Sequence, residues 1–192
     1  MRMMNVVRLL VLGVIRELGR CHGYAIRQTL EEWQVQTWSR LHSGSIYHAL
    51  QQLTKEGLLE SGAPEPGNRG PGKLTFAINE AGEVEFHDQL RQALASFDLI
   101  ELSAGIAFVG CLPAAEAKSL ISETIDRLRD NAERLALIAS SVQPSVKPPR
   151  TKNLLDLWRA NLATTATSLE EIRGTLHTLA APPKRARTTR SH

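Results

Sequence analysis

The stretch "HSGSIYHALQQLTKEGLL", His42–Leu59, decides the fold. It opens on small polar residues and runs on with Ile46, Ala49, Leu50 and Leu53 at three- and four-residue steps. At about 100° per residue these four share one apolar arc of a helix. Gly44, His48, Gln51 and Lys55 lie opposite, with Tyr47 and Gln52 on the flanks, and no carboxylate occurs before Glu56. Ser43 is the expected N-cap, and Gly57 suits the residue just past the helix end. The major groove of DNA accepts such a helix. Amides pair with base edges, a lysine reaches guanine or phosphate, and a glycine permits close approach. Backbone N–H groups at the helix start, with Ser43 and Ser45, are suited to holding a phosphate. The same face also suits an ordinary exposed helix, because glutamine and lysine are good helix formers.

The flanking sequence favours the groove-reading alternative. Upstream, "HGYAIRQTLEEW" reads as a helix from about Gly23 to Trp33, with Ile26 and Leu30 four apart. Before it, Met3–Leu18 is apolar on nearly every side and is closed by Gly19; it is expected to be covered by its own domain and by a second body. Downstream, "LLES" and "KLTFAIN" are short extended runs, in which Leu74, Phe76 and Ile78 alternate with Lys73, Thr75 and Ala77. Between them "GAPEPGNRGPG" holds four Gly and three Pro and reads as a long flexible hairpin tip. Three helices followed by such a hairpin make a winged helix-turn-helix.

Asn79 is the expected cap of a long helix running towards Leu112 and loosening near Ser103–Gly105. Pro113 marks a further helix start. Beyond it Ile121, Ile125, Leu128, Ala132, Leu135 and Ala139 form one seam. Leu155, Trp158, Leu162, Thr165, Leu169, Ile172, Leu176 and Leu179 form another, after the proline-rich "SSVQPSVKPPRTK". Two such seams make an antiparallel helical hairpin. The expected fold is therefore mainly α with a small β-hairpin. Residues 1–90 would form the winged-helix DNA-binding domain, 91–181 a helical dimerisation domain, and 182–192 a basic disordered tail.

Composition narrows the function classes. The net charge of +3 is unevenly distributed. Met1–Lys55 holds seven basic and three acidic residues, Glu56–Asp98 three basic and eight acidic, and the tail "PPKRARTTRSH" adds four basic ones. The local surplus of the first 55 residues, not the total, points to an anionic partner. Cys21 and Cys111 lack paired spacing and read as buried, reduced thiols, which suits the cytoplasm. The six histidines show no metal-ligand spacing, so no metal or cofactor is expected. The apolar start is broken by Arg8, Arg16 and Glu17 and is too short and charged for a signal peptide or a membrane span. Ser43, Ser45 and His48 lack the strand–turn–helix context of a hydrolase nucleophile, and "GNRGPG" lacks the Lys-Ser/Thr ending of a phosphate loop. An enzyme is not expected.

Three motifs in order, "HGYAIRQTLEEW", "SGSIYHALQQLTKEGLLES" and "GKLTFAINEAGEVEF", resemble the PadR family of bacterial transcriptional regulators over roughly Val6–Leu90. They are similar to its HGY-start helix, its G-[ST]-I-Y-x-A-L recognition helix and its wing strand leading into a T-E-x-G helix start. The longer C-terminal part resembles the branch with an extended dimerisation domain. The sequence departs from the family at His48, where a proline often follows the tyrosine, and at Asn79, where threonine is usual. The wing arginines thin to Arg69 and Lys73.

The resemblance implies that Ser45 and Tyr47 contact the DNA backbone or support the groove face; for Tyr47 the alternative is packing against helix one. Gln51, Lys55 and His48 are the base-edge or phosphate candidates. Arg40 just ahead of the helix and Tyr24 at the start of helix two are phosphate candidates, with a solvated loop and core packing as their respective alternatives. Arg69 and Lys73 would bring the wing to the minor groove. The resemblance further implies a small hydrophobic or aromatic effector, for which Phe97, Phe108 and Trp158 are candidate lining residues; plain core packing is the competing reading. The expected protein is thus a homodimeric repressor on a palindromic operator of double-stranded DNA. The alternative is a winged-helix protein-interaction module that does not bind DNA.

Overall fold

The computed structural model describes residues 5–39, 41–62, 65–67, 70–143 and 149–176. Its chain divides into two compact units, Met1–Val109 and Gly110–His192. The expected basic tail from residue 182, and Leu179 of the second seam, lie outside the described residues.

The first unit is built on α1 (Val6–Leu18). Asn5 caps it by accepting hydrogen bonds from the Val7 and Arg8 N–H groups, and Gly19, at φ 73°, ends it. Every residue from Leu9 to Ile15 is buried. The second body that the uniformly apolar α1 calls for is supplied within the unit. α2 (Gly23–Glu32) and α3 (Ser43–Lys55) pack on α1, and so do α4 (Glu80–Leu94), α5 (Leu99–Ala107) and the sheet. Leu9–Ile15 are thereby covered within the unit.

The sheet has three antiparallel strands in the order β1 (Cys21–His22), β5 (Thr75–Ile78), β2 (Leu59–Ser61). β1 has no counterpart in the sequence reading. Two residues are too few to show a period, yet Cys21 pairs with Phe76 and His22 with Thr75. Partial burial pushes the Cys21 thiol pKa up. Neither cysteine is in a disulfide, and both are half-buried rather than fully buried. The proposed alternation fails at one end: Leu74 is exposed and Thr75 is buried, with Gly62 packed on the Thr75 hydroxyl. β3 (Glu65–Gly67) and β4 (Gly70–Lys73) pair antiparallel as a separate ribbon.

The single long helix expected over Asn79–Leu112 is two helices. α4 is capped by Asn79, whose Oδ1 accepts from the Gly82 N–H at 2.9 Å. It ends at Leu94, and α5 starts anew under Asp98, whose carboxylate accepts from the Ile100 and Glu101 N–H groups. The loosening expected near Ser103–Gly105 is absent. A Cβ on Gly105 would come within 3.0 Å of Ala93 and Leu94, so this glycine lets α5 lie close against α4.

The second unit is the expected hairpin of α6 (Ala114–Ser141) and α7 (Thr151–Thr175). Ile121, Ile125, Leu128 and Ala132 of α6 and Leu162, Ala166 and Leu169 of α7 are buried. Trp158 is not part of that seam. It is 53% exposed, and Leu137, Ile138, Leu154 and Leu157 near the same end of the hairpin are also exposed. Among the described residues no helix is long and apolar enough to cross a membrane.

Candidate nucleic-acid interface

The two sides of α3 differ as the spacing requires. Its buried residues are Ile46, Ala49, Leu50 and Leu53. Ser43, Gly44, Tyr47, His48, Gln51 and Lys55 are exposed, and Ser45 and Gln52 are half-buried. The helix start is arranged differently from the expected Ser43 cap. His42 is the cap residue, and Ser45 reaches back so that its Oγ accepts from the His42 N–H at 3.1 Å. Ser43 occupies the first helical position with its side chain in solvent. The free N–H groups of the first turn leave a partial positive charge at this end.

The candidates beside α3 divide into supported and open positions. A Cβ on Gly23 would come within 2.9 Å of the Tyr47 ring and 3.2 Å of Leu50. The absent side chain of Gly23 is therefore what lets Tyr47 lean on α2 while staying 45% exposed. Tyr24, the next residue, is exposed, with the Arg27 guanidinium 5.2 Å from its ring centroid. Gly44 is the opposite case: an added Cβ there meets nothing within 4 Å. Among the described residues nothing requires a glycine at that position. Arg40 and Arg69 lie outside the described residues, and Lys73 ends β4.

Electrostatics revises the charge argument. Of the seven basic residues in the first 55, four are engaged by carboxylates. Arg8 bonds Glu56 and Glu85, Arg16 bonds Glu83 at 2.9 Å, Arg20 bonds Glu60 at 3.0 Å, and Arg27 approaches Glu31 at 3.5 Å. The basic surplus of the first segment and the acidic surplus of the second largely neutralise one another, a pairing invisible to a linear count. What remains on α3 is a face without anions and with one lysine. Glu56, its first carboxylate, is bound through both oxygens by Arg8 at 3.0 and 2.7 Å.

The effector candidates are dispersed in character. Phe108 is buried, with ring centroids 5.5 Å from Phe86 and 5.7 Å from Trp33, and its ring fills the space a side chain on Gly13 would need. Phe97 and Trp158 are exposed. Among the described residues no cluster of His, Cys, Asp or Glu is arranged to hold a metal ion.

Residues 11–88, from within α1 to within α4, match the transcriptional regulator PadR-like family. By that match the winged-helix part of the chain is PadR-like, and the family is one of regulators rather than enzymes. No curated protein matches the chain. Among solved structures, Bacillus subtilis PadR in complex with operator DNA is 22% identical, with a TM-score of 0.44, covering 91% of this chain and 99% of that one. The same protein in complex with p-coumaric acid is 22% identical, with a TM-score of 0.39 and coverage of 90% and 99%. The PadR-like regulator BC1756 of Bacillus cereus is 20% identical, with a TM-score of 0.39 and coverage of 90% and 98%.

Proposed function

We propose that this chain, PadR-like over residues 11–88, is a cytoplasmic repressor that binds a palindromic operator as a homodimer. α3 enters the major groove, with His48, Gln51 and Lys55 meeting base edges or phosphate and Gly44 allowing close approach. Ser43, Ser45, Tyr47, Tyr24 and Arg40 flank it as backbone contacts, and Arg69 and Lys73 carry the wing to the minor groove. The observation that carries this reading is the anion-free outer face of α3, with Glu56, the first carboxylate after it, bound by Arg8.

An electrophoretic shift titrated against salt tests it. Several phosphate contacts per half-site release condensed counterions, so affinity falls by orders of magnitude, roughly 10³-fold or more, between 50 and 200 mM salt. A flat salt response, or no shift at all, supports the protein-interaction alternative. The domain division follows function: the winged-helix domain reads DNA and the helical part dimerises through the exposed apolar end of the α6–α7 hairpin. Two-fold symmetry of the protein then imposes two-fold symmetry on the site.

A small hydrophobic or aromatic effector is part of the same reading, on the strength of the family resemblance. Phe97 and Trp158 are accessible to it, whereas Phe108 would take part only if the core around Gly13 and Phe86 opened. Tryptophan fluorescence titrated with phenolic acids tests this, and an unchanged spectrum across the panel counts against it.

A further inference from the structure

α3 contains no acidic residue, but its end is crowded with them: Glu56 is its cap, and Glu85 of α4 shares the same partner. Arg8 holds both. Its Nη1 donates to Glu56 Oε1 at 3.0 Å, and its Nη2 donates to Glu56 Oε2 at 2.7 Å and to Glu85 Oε1 at 3.4 Å. The arginine side chain is only 11% exposed, while that of Glu56 is 30% exposed. His48, Gln52 and Glu56 follow one another at four-residue steps and so form a stripe along one flank of α3. That stripe faces Asn5, Val7 and Arg8 across a shallow cleft. A helix seated in the major groove presents its tip face to the bases and its flanks to the phosphate walls. A carboxylate released on this flank would therefore face phosphate.

We propose that Arg8 is a positioning residue for DNA recognition: it draws Glu56 back against α1, neutralises it, and so keeps the flank of the groove helix free of negative charge without itself touching DNA. The inference rests on the groove-docking reading and adds to it a residue two helices away in sequence.

The test measures fluorescence anisotropy of a labelled duplex, the tightest sequence selected from a random pool, against the wild-type chain, R8M, E56Q and the R8M/E56Q double variant. Thermal unfolding of each is followed in parallel. R8M should bind about tenfold more weakly, the scale of one uncompensated like-charge approach at a partly screened surface. The double variant should recover most of that loss. E56Q alone should bind at least as tightly as wild type, and the salt slope of R8M should stay within less than one unit of the wild-type value. The proposal is overturned if R8M binds normally, if E56Q is weaker than wild type, or if the double variant is no better than R8M. A slope reduced by about one would also overturn it, since Arg8 would then itself be a phosphate contact. Should R8M fail to fold, E56Q decides alone: binding at least as tight as wild type sustains the proposal, and weaker binding ends it. Wild-type protein that binds no duplex would bring down groove docking itself, a result distinct from wild-type binding with an indifferent R8M.

Discussion

The outer face of α3 and the loop end of the α6–α7 hairpin are both surfaces that a solitary globule has no use for, and they are opposite in chemistry. α3 buries a clean apolar stripe and exposes glycine, histidine, glutamine and lysine. The hairpin buries an equally regular seam along most of its length but leaves Leu137, Ile138, Leu154, Leu157 and Trp158 in solvent at one end. Exposed apolar clusters mark protein contacts, because covering them removes apolar surface from water at roughly 25 cal/mol per Å². An exposed polar face without carboxylates has no such drive, and what it gains by contact is electrostatic and hydrogen-bonded. The two faces thus fit different partners, a second protein surface and a polyanion.

If that contrast is right, the two surfaces can be disabled separately. The largest effect should come from the hairpin. L157E combined with L137E should turn the protein monomeric in sedimentation velocity and lower apparent operator affinity by about 10² or more, since the second half-site would no longer bind at high effective concentration. Normal dimers from this variant would place the dimer contact elsewhere. K55E acts on the other surface. It should cost about a hundredfold in affinity by replacing an attraction with a repulsion, while sedimentation still reports a dimer. Loss of the dimer in K55E would dissolve the distinction between the two faces.

The smallest effect is the most diagnostic. Replacing Gly44 by alanine meets no neighbour within 4 Å, so G44A should raise thermal stability, by up to about 1 kcal/mol. Its methyl group would nonetheless project towards the groove and weaken binding several-fold. A variant that is stabler and binds as well as wild type would show that Gly44 approaches nothing.

The legible parts of the fold were those with a sustained period. α2, α3 and the α6–α7 hairpin follow from residues spaced three and four apart, and Gly19, Gly57 and Asn79 occupy the ends their chemistry suits. The break between α4 and α5 was also written in the chain, as the capping pattern Asp98-x-x-Glu101 inside an apolar run. The hydrophobic continuity around it obscured that signal. Ser103–Gly105 looked like a weak point because a glycine in a helix lowers its propensity, whereas its use is tertiary, admitting a neighbouring helix. Trp158 fell on the seam by spacing, yet the hairpin contact does not extend to it. β1 and the β3–β4 ribbon depend on long-range pairing that no local pattern announces.

For the candidate site, the side of α3 that faces outward was legible and its electrostatic setting was not. The linear charge tally gave the first 55 residues a surplus, but folding brings Arg8, Arg16 and Arg20 onto Glu56, Glu83 and Glu60, residues 40 to 67 positions away. That pairing exists only in three dimensions. It also engages Glu56, Glu60 and Glu83, three carboxylates of the acidic segment that follows α3.

The end of α3 is fastened independently of its outer side chains. Asn79 Nδ2 donates to the Gly57 carbonyl at 2.8 Å, and Gly82 lies so close to the Leu58 carbonyl that no side chain fits between them. Gly44, His48, Gln51 and Lys55 take no part in that joint or in the core. The core packing of the scaffold therefore does not use the side chains at these four positions. On the proposed groove reading, such a helix drifts to a new target sequence, in a duplicated gene or at the bench, by exchanging a handful of outward residues while the architecture that presents them is inherited unchanged.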